Sequence, residues 1–578
     1  MRVLGISCFY HDAAAALVID NQLVAAVSQE RFSGIKHDPE LPVAAVRWCL
    51  DRAGFDINHL DYIVFYDKPL TKFERIVTGY MANPWRSFRA FLEAMPIWLG
   101  RKLWTEQVIQ KELGYAGEIL YTPHHLAHAA GTYYASPFDR AACLTIDGVG
   151  EWATASFGIG SGNRVELTAQ MNYPHSVGLL YSAFTYYLGF RVNSAEYKIM
   201  GLAAFGTPRF AELIEQEMVR IFDDGSIALN LKYFTYHFGL RMTGARFEKL
   251  FGRPRRQPKE PLDQFHKDIA ASLQQVTEKI VMRMARHVRK QTGMTRLCLS
   301  GGVALNCAAT GKLLQEGVFD DIYVQPAAGD AGGAAGAALY TSYLLTDGPK
   351  VEQPFFGLGP SFETEAVRQF FDDLGIPYST GSESGMAKHL AQRISESAIV
   401  AVYQGSMEFG PRALGFRSIL ADPRNPDMKS MINAAVKYRE PFRPFAPAVM
   451  REKVSEWFQC DRDAPYMVIN FPVREDKRSV IPAVTHADGS ARIQTVAVQD
   501  NPVLYRVLQA FDELTGVPVL LNTSFNLRGY PIVNTPREAF ATFCSGGIDI
   551  LYLGDLIVDK EDIPDRLITE FAMQAKAD

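Results

Sequence analysis

The chain has 578 residues, enough for several domain-sized units. Hydrophobic residues make up 48% and charged residues 21%, an ordinary balance for a globular protein, so a disordered or low-complexity chain is excluded. The formal net charge of −5 gives no strong positive field, so we expect no nucleic-acid partner.

The cysteines and the apolar segments indicate where the protein resides. Seven cysteines are scattered along the chain without a Cys-x-x-Cys pair, which is typical of reduced thiols in the cytosol. Residues 2–8 read as a buried strand that leads into a polar turn, not as a signal peptide. No run of about 18 uncharged apolar residues occurs, so the sequence predicts no membrane-spanning helix. We therefore expect a cytoplasmic protein.

A strand, a polar turn and a hairpin occur twice in this order. The turn is Tyr10-His11-Asp12 in the first copy and Asp147-Gly148 in the second. The predicted strands are residues 2–8, 13–19 and 22–28, and then residues 142–146, 153–159 and 165–171. The repeat predicts an α/β fold of the duplicated, actin-like or ribonuclease-H-like type. In that fold the two turns face each other across a nucleotide cleft.

Two glycine-rich turns follow a long predicted helix at 262–292. Residues 300–306, Ser-Gly-Gly-Val-Ala-Leu-Asn, come after a predicted strand at 296–299, and their glycines let a ligand approach the backbone. The second turn, 327–333, carries Asp330. In an actin-like frame such turns bind nucleotides, and the expected contacts are Gly148, Gly301, Gly302, Asn306 and Gly329.

Proline and glycine residues between 344 and 360 predict a linker to a second α/β unit. We place the N-terminal domain at 1–345, the linker at 346–360 and the C-terminal domain at 361–578.

Two histidines and two carboxylates form a candidate metal site. His124 and His128 are four residues apart in a predicted helix and therefore share one of its faces. Such a pair alone is more often part of a surface or a core, but Asp147 and Asp330 lie on turns beside the predicted cleft. This donor set suits Fe(II), Mn(II) or Zn(II), and the sequence does not choose among them.

Four of these segments resemble the motifs of NodU/CmcH-type O-carbamoyltransferases. They are His-His-Leu-Ala-His-Ala, Thr-Ile-Asp-Gly, Ser-Gly-Gly-Val-Ala-Leu-Asn and Ala-Ala-Gly-Asp. Enzymes of this family act in nodulation-factor, cephalosporin, aminoglycoside and saxitoxin biosynthesis. Their N-terminal domain is similar to TsaD and their C-terminal domain to YrdC, two proteins of threonylcarbamoyl transfer to tRNA. The resemblance covers nearly the whole chain and implies iron as the metal.

Cationic residues alternate with proline, glycine and aromatic residues at 408–424 and 437–447. Arginine forks suit phosphate oxygens, whereas the alternative is scattered surface charge. The candidate phosphate ligands here are Arg412, Arg417, Lys437, Arg439 and Arg443.

Two short segments of the C-terminal domain match YrdC-like signatures. They are Lys437-Tyr438-Arg439 and Ser524-Phe525-Asn526, and the resemblance implies that they hold carbamoyl phosphate, ATP and the adenylate, with Lys437 and Arg439 in catalysis. Ser524 and Asn526 alternate, so both point to one face of an extended segment. The same site is expected to include Asn522, Arg528 and Arg492.

The resemblance also implies an acceptor site in the N-terminal domain. His11, with Asp12, is expected to orient or deprotonate the acceptor hydroxyl; a structural turn histidine is the alternative. Glu196 and Lys198, in the segment Glu-Tyr-Lys-Ile-Met-Gly, are expected to border this site.

The implied activity is ATP-dependent O-carbamoyl transfer. Carbamoyl phosphate and ATP (with Mg²⁺) give carbamoyl adenylate, and the carbamoyl group then moves to a hydroxyl of a secondary metabolite or glycan. Three alternatives stay open: a tRNA threonylcarbamoyl-type transferase, an actin-like sugar kinase or ATPase, and a non-catalytic nucleotide sensor. The Arg253-Pro254-Arg255-Arg256 cluster, the best local basic patch, reads as an exposed loop.

Residues 83–107 interleave tryptophan and other apolar residues with arginine and lysine. This pattern indicates either a helix packed on the core or an amphipathic surface for a membrane or a membrane protein, on which Trp98 and Trp104 would be contact residues. A homodimer is also expected.

Overall fold

The computed structural model describes residues 1–353 and 357–572, which form two compact units. The first unit comprises Met1–Gln29 and His37–Pro354, and the second comprises Glu30–Lys36 and Phe355–Asp578. Residues 354–356 of the predicted linker and residues 573–578 of the predicted C-terminal domain lie outside the described residues. The sequence analysis did not anticipate that Glu30–Lys36 groups with the second unit. Arg31 explains it, since this buried side chain donates to Gly410 O at 3.0 Å.

The first sheet has five strands in the order β3-β2-β1-β4-β5. They are β1 (Arg2–Ser7), β2 (Ala14–Ile19), β3 (Gln22–Ser28), β4 (Tyr62–Phe65) and β5 (Ile119–Tyr121). β1, β2 and β3 form an antiparallel meander, whereas β4 and β5 run parallel to β1. Every residue of β1 after Arg2 is buried, as the run of apolar residues predicts.

The second sheet has five strands in the order β12-β11-β6-β7-β8. They are β6 (Arg140–Ile146), β7 (Ala153–Ser161), β8 (Arg164–Asn172), β11 (Arg296–Ser300) and β12 (Asp321–Val324); β9 (Val219–Ile221) and β10 (Ile227–Leu229) form a separate two-stranded sheet. β6, β7 and β8 are antiparallel, whereas β11 and β12 run parallel to β6.

The two five-stranded sheets share one topology. In each, the first three strands along the chain form a meander, the fourth pairs in parallel with the first, and the fifth pairs in parallel with the fourth. This shared topology confirms the predicted duplication of a ribonuclease-H-like fold.

The helices up to residue 346 belong to the first unit, except α1, which belongs to the second. They are α1 (Glu30–Ser33), α2 (Val43–Ala53), α3 (Pro69–Met81), α4 (Pro84–Gly100), α5 (Thr105–Leu113), α6 (His124–Ala135), α7 (Val177–Tyr187), α8 (Glu196–Ala203), α9 (Ala211–Glu217), α10 (Ala245–Phe251), α11 (Gln264–Thr292), α12 (Cys307–Gln315) and α13 (Asp330–Thr346). The helix predicted at 262–292 is α11, which starts at a capping box of Asp263 and His266.

Small residues let α13 approach its neighbours closely. A Cβ on Gly336 would lie 1.8 Å from Ala127 O of α6, and a Cβ on Gly5 of β1 would lie 1.9 Å from Ala334 O. Because α6 and α13 pack at this distance, their first residues, His124 and Asp330, are held side by side.

The second unit is also α/β, with an eight-stranded mixed sheet in the order β13-β22-β21-β14-β15-β20-β16-β19. The strands of the second unit are β13 (Ser379–Thr380), β14 (Val400–Tyr403), β15 (Arg417–Ala421), β16 (Ala446–Met450), β17 (Asn470–Pro472), β18 (Ser490–Arg492), β19 (Gln494–Val496), β20 (Val519–Ser524), β21 (Ile550–Leu553) and β22 (Leu556–Asp559). Of these, β17 and β18 form a separate two-stranded sheet. The unit's helices are α14 (Thr364–Leu374), α15 (Glu383–Ser395), α16 (Met428–Ile432), α17 (Val454–Trp457), α18 (Pro502–Thr515), α19 (Pro536–Ser545) and α20 (Asp565–Phe571). The predicted fold class, α/β in both domains, is confirmed. All seven cysteines of the chain are buried free thiols.

Candidate functional site

The carboxyl ends of the parallel strands supply the site of the first unit. Parallel strands end at the same edge of a sheet, so the turns that follow them lie next to one another. In the first sheet the residues that follow these strands are His11, Tyr66 and His124, and in the second sheet they are Asp147, Gly301 and Asp330.

Four buried side chains converge here as the sequence predicts. His124, His128, Asp147 and Asp330 each offer one nitrogen or oxygen atom, and these atoms all lie within 4.8 Å of one another. His124 Nε2 lies 3.1 Å from His128 Nε2 and 3.2 Å from Asp147 Oδ2. Asp330 Oδ1 lies 3.8 Å from His124 Nε2 and 3.6 Å from His128 Nε2. We call these four residues, which together could hold one metal ion, the metal cluster.

The electrostatics of the metal cluster favour charge on its carboxylates. Burial raises the pKa of Asp147, but the hydrogen bond from His124 and the charges of His128, His124 and His125 together lower it well below the ordinary value. Burial likewise raises the pKa of Asp330, and the positive charge of His11 leads the opposing interactions that lower it overall. Burial lowers the pKa of His124, but the hydrogen bond to Asp147 and the charges of Asp330 and Asp147 together raise it overall.

The cluster fits a divalent cation. Two imidazole Nε2 atoms at 3.1 Å compete for the same space, and two buried carboxylates face them. A cation satisfies all four donors at once, and a set of two nitrogens and two carboxylates suits Fe(II), Mn(II) or Zn(II).

His11 faces the metal cluster from the first turn. Its Nδ1 lies 2.9 Å from Asp12 Oδ2, and its Nε2 lies 3.7 Å from Asp330 Oδ2. Asp12 also contacts His37 Nδ1 at 2.7 Å and has a left-handed φ of 53°. Burial opposes the charged form of His11, but Asp330 and then Asp12 raise its pKa to about 9. The structure therefore places Asp12 as the group that orients the His11 ring.

The glycine-rich turns shape the same edge. Gly302 N donates to Asp147 Oδ1 at 2.8 Å, so this turn fixes a carboxylate of the metal cluster. Gly301 has a φ of 85°, and a Cβ there would lie 2.4 Å from Ile146 O. By contrast, a Cβ on Gly148 would meet nothing within 4 Å, which leaves room for a ligand.

The remaining predicted nucleotide residues have structural partners. Asn306 caps α12 and exchanges hydrogen bonds of 3.0 Å with Gln274. Gly329 caps α13 immediately before Asp330.

Glu196 and Lys198, the residues predicted to border the acceptor site, have different surroundings. Glu196 Oε1 accepts hydrogen bonds from Ser182 Oγ at 2.9 Å and from Asn193 N at 3.0 Å. Asn193 Nδ2 in turn donates to Tyr10 Oη at 3.3 Å, so Glu196 supports the turn through Asn193. Lys198 is buried, with its ammonium 5.7 Å from the ring centre of Phe190.

Several residues of this site were missed by the sequence analysis. Tyr66 Oη lies 3.5 Å from Asp330 Oδ2, and Lys72 contacts both Asp67 and the Tyr66 ring. Glu151 accepts from the backbone N of His124 at 3.0 Å. Tyr66 and Asp67 follow β4 directly, so the rule that parallel strands end at one edge would have found them.

In the second unit the structure brings three predicted residues together. Lys437 Nζ donates to Asn526 Oδ1 at 2.8 Å, to Asn526 O at 3.1 Å and to Ser524 O. Ser524 Oγ donates to Asn526 Oδ1 at 2.7 Å. Lys437 ends a π-helix at Asn433–Lys437, and Tyr438 after it has a left-handed φ of 46°. This irregular backbone directs Lys437 toward the segment after β20.

A cationic cluster surrounds Lys437. Burial lowers the pKa of Lys437 well below its ordinary value, and the charges of Arg439, Lys36 and Arg443 add to the effect. Burial together with the charge of Arg439 also lowers the pKa of Lys429. We define the cationic cluster as Lys36, Lys429, Lys437, Arg439, Arg443 and Arg492. Lys36 and Lys429 were not predicted, because nothing in their local sequence indicates that the chain returns them to this place.

The charges of Arg492 and Lys429 both act on His486. Burial lowers the pKa of His486 to about 4; Asp488 opposes this, whereas Arg492 and Lys429 add to it. Arg492 Nε is buried and has no hydrogen-bond partner within residues 1–353 and 357–572.

The other predicted cations partly engage protein groups. Arg439 Nε donates to Asn433 Oδ1 at 2.8 Å, and Arg443 Nε lies 2.9 Å from Glu440 Oε2. Arg528 Nη1 donates to Tyr438 O at 2.8 Å. Arg412 is half-buried between β14 and β15.

Arg417 and Asn522 were predicted to belong to the phosphate site, but their side chains bind groups of the fold instead. The fully buried Arg417 guanidinium donates to the backbone oxygens of Gln404, Phe416, Pro360 and Gly405, and it lies 3.7 Å over the Tyr403 ring. Its N–H groups therefore serve the fold. Asn522 is buried within β20, where its Nδ2 donates to Gln494 Oε1 at 2.8 Å.

The basic cluster at 253–256 is not a solvated loop. Arg256 is buried and donates to Leu188 O at 2.6 Å, Arg255 donates to Tyr186 O at 2.8 Å, and Arg253 pairs with Asp263. These arginines join the loop to α7 and α11.

Helix α4, inside the segment 83–107, has two apolar faces. Its buried residues are Ser87, Ala90, Met95 and Trp98. Its exposed apolar residues are Trp85, Phe88, Leu92, Ile97 and Leu99. Trp98 is 8% exposed and packs on the core, whereas Trp104 is 52% exposed, so of the two tryptophans named for the surface alternative only Trp104 is exposed. Within the described part of the chain, the helices are all too short or too polar to cross a bilayer.

Comparisons with known proteins agree with this arrangement. A family model described as Carbamoyltransferase N-terminus matches residues 2–339, and one described as Carbamoyltransferase C-terminus matches residues 391–560. Nodulation protein NolNO of Sinorhizobium fredii is 38% identical over 96% of this chain and 79% of its own length. Nodulation protein NolO of Bradyrhizobium diazoefficiens is 41% identical over 76% of this chain and 78% of its own length. Protein sll1178 of Synechocystis sp. is 46% identical over 98% of both chains.

Solved structures are more distant. HypF of T. kodakarensis is 14% identical over 60% of this chain and 48% of its own, with a TM-score of 0.31. Component A of the (R)-2-hydroxyglutaryl-CoA dehydratase of Acidaminococcus fermentans is 16% identical over 59% of this chain and 97% of its own, with a TM-score of 0.32. Both TM-scores are below 0.5. The family models and the nodulation relatives confirm the resemblance found in the sequence: the chain belongs to the carbamoyltransferase family and is an enzyme that transfers carbamoyl groups.

Proposed function

We propose that this enzyme is an ATP-dependent, cytoplasmic O-carbamoyltransferase whose second unit makes carbamoyl adenylate. Water cleaves the O–P bond of carbamoyl phosphate and releases phosphate and carbamate. A carbamate oxygen then attacks the α-phosphorus of ATP, held with Mg²⁺, and pyrophosphate leaves. The product is a mixed anhydride of carbamate and AMP, whose carbonyl carbon is far more reactive than that of free carbamate.

The cationic cluster is the observation that carries this proposal. Lys437, Arg439 and Arg443 concentrate positive charge against a segment that also offers Ser524 and Asn526. Both substrates and pyrophosphate are polyanions, and charge that builds up on leaving phosphate oxygens is best stabilised by donors already in place. The buried Arg492 Nε has no partner among the described residues and suits such an oxygen.

We assign transfer to the first unit. The acceptor hydroxyl attacks the carbonyl carbon of carbamoyl adenylate, the bond from that carbon to the AMP oxygen breaks, and the hydroxyl proton moves to His11 Nε2. Asp12 holds His11 Nδ1 at 2.9 Å, which orients Nε2 toward the reacting atoms. The field of Asp330 that raises the His11 pKa weakens when that carboxylate is neutralised by a cation, and neutral imidazole is the form that accepts a proton.

The residues of the metal cluster would hold a divalent metal, with Fe²⁺ as our choice and Mn²⁺ or Zn²⁺ as alternatives. Such an ion supplies Lewis-acid stabilisation of negative charge on the carbonyl and phosphate oxygens. The acceptor class that we propose is a secondary metabolite or glycan.

A pyrophosphate-release assay tests the proposal. Purified enzyme receives ATP and Mg²⁺, with or without carbamoyl phosphate, and no acceptor. Pyrophosphate that depends on carbamoyl phosphate, is lost in Lys437→Met and persists in the exposed control Lys388→Met is the expected result. ADP formation would instead indicate a kinase or ATPase. Failure of folded enzyme to release pyrophosphate would contradict the proposal.

We also propose that α4 contacts an anionic membrane surface. Trp85, Phe88, Leu92 and Leu99 recur at helical spacing and are each at least 55% exposed. Arg86 and Arg89 flank this stripe, and such a face with positive charge beside it suits a headgroup layer that is itself negative.

Vesicle co-sedimentation tests this surface. Phosphatidylcholine vesicles with phosphatidylglycerol should sediment the enzyme better than vesicles without it. The double variant Trp85→Ser, Phe88→Ser should stay in the supernatant, while Leu240→Ser, another exposed apolar residue of the first unit, should sediment like wild type. Equal sedimentation of all three proteins would end the idea.

A further inference from the structure

A cavity of about 280 Å³, partly open to solvent, lies in the first unit near the turn that carries His11. Helices α3 and α4, the turn after β1, and residues around Tyr173 and Tyr236 form its walls. Aromatic residues make up a large part of the lining, and the volume is near the lower end of small-molecule sites, at about 300 Å³.

Arg75 of α3 lines this cavity and is buried. Its side chain is 8% exposed, and its Nε is buried without a hydrogen-bond partner. Among the described residues no hydrogen bond or ion pair of its guanidinium is found; its recorded contact is with the Tyr173 ring, 4.9 Å away. Burial lowers the pKa of Arg75, yet a guanidinium stays charged. The carboxylates of Glu151 and Asp67 attract the Arg75 charge from beyond ion-pair distance, but they accept no hydrogen bond from it, so this position suits a bound anion.

The other cations of the cavity wall are engaged. Lys72 pairs with Asp67, and the Lys102 ammonium donates to the backbone oxygen of Phe9. Arg75 is therefore the cation of this wall whose guanidinium has no hydrogen-bond acceptor among the described residues, and a bound anion would supply one.

The cavity reaches the transfer site. Tyr10 lines it, and the Tyr10 and His11 ring centres are 4.6 Å apart. Val149, two residues after Asp147, also lines it. Tyr10 thus stands between the cavity and His11, the histidine to which we assign the proton.

We infer that this cavity binds the acceptor alcohol, and that the acceptor carries an anionic group that pairs with Arg75 and a ring that packs on the aromatic walls. This inference rests on the proposed function and adds the chemical class of the acceptor. The neutral or cationic alcohols that would leave Arg75 unpaired are disfavoured.

A matched pair of ligands tests the inference. The probes are 4-(hydroxymethyl)benzoate and its neutral isostere 4-(hydroxymethyl)benzamide, each with a ring and a primary hydroxyl. Binding to the metal-loaded enzyme is measured by calorimetry without ATP or carbamoyl phosphate, so the result is independent of adenylate formation. We expect the benzoate to bind at least about tenfold more tightly, the effect of one charge-assisted contact.

Variants show whether Arg75 is the cause. Arg75→Met should abolish the preference, Arg75→Lys should retain part of it, and Arg89→Met, an exposed arginine on α4, should keep all of it. If Arg75→Met does not fold, a reduced preference for the benzoate in Arg75→Lys supports the inference, and an unchanged preference contradicts it. No saturable binding of the benzoate, equal binding of the two probes, or a preference that survives in Arg75→Met would overturn the inference. Pyrophosphate release by the wild type, assayed separately, shows whether the proposed function itself stands.

Discussion

Replacing Lys437 by methionine should separate the chemistry of the second unit from its stability. The ammonium donates to Asn526 and Ser524, and each lost charge-assisted hydrogen bond costs about 1.5–3 kcal/mol. The same change removes a buried charge whose pKa is lowered by burial, which is a gain in stability. Because the two effects oppose, we expect the free energy of unfolding to change by less than about 2 kcal/mol.

Catalysis should suffer far more. Removing one preorganised donor to developing charge costs about 10²–10³-fold in rate, or roughly 3–4 kcal/mol. The assay is carbamoyl-phosphate-dependent pyrophosphate release, with urea unfolding measured on the same preparation. Lys388→Met, an exposed lysine of α15, controls for the loss of a charge. A folded Lys437→Met variant with a rate within tenfold of wild type would refute the role of the cationic cluster.

Three further outcomes follow from particular contacts. Burial, and then the charge of Arg439, lowers the pKa of Lys437, whereas a bound anion favours the charged ammonium. Pyrophosphate affinity, measured by calorimetry, should therefore fall as pH rises above that lowered pKa. An affinity that does not change with pH would contradict this. Gly301→Ala should lower the free energy of unfolding in urea by about 2 kcal/mol or more, because its φ is 85° and the new Cβ would strike Ile146 O. Gly252→Ala is the control, since its φ is 71° but its Cβ would meet open space, and it should cost only about 1 kcal/mol. Arg417→Met should lower the unfolding free energy by about 3 kcal/mol, because it leaves buried carbonyl oxygens unpaired; a smaller loss than in Arg412→Met would be inconsistent with its packing role.

The duplicated fold was predictable because its signals are local. Each copy has a buried strand, a polar turn and a hairpin with alternating or continuous apolar residues, and this is how β1 to β3 and β6 to β8 form. The metal cluster was predictable for the same reason. Its histidines share a helix face, and its carboxylates follow strands or start a helix at one sheet edge.

What could not be predicted depends on burial and on distant segments. Arg417 and Arg439 look alike in sequence, but the first donates to four backbone oxygens and the second lies in the cationic cluster. Lys36 reaches that cluster from more than 350 residues away along the chain. Arg75 shows the same limit, since only the packing of α3 with α4 and the loops reveals that it is buried and unpaired.

The two sites have opposite charge, and this predicts that the half-reactions can be separated. Histidines and carboxylates gather in the first unit, whereas lysines and arginines gather around Lys437 in the second. His128→Ala removes one metal donor, so bound metal should fall at least about tenfold by elemental analysis. Acceptor-free pyrophosphate release should persist in this variant, while carbamoyl transfer to an acceptor is lost; His59→Ala, an exposed histidine of the same unit, should keep both. Loss of pyrophosphate release in folded His128→Ala would show that adenylate formation also needs the metal cluster and would contradict the division of labour proposed for the two units.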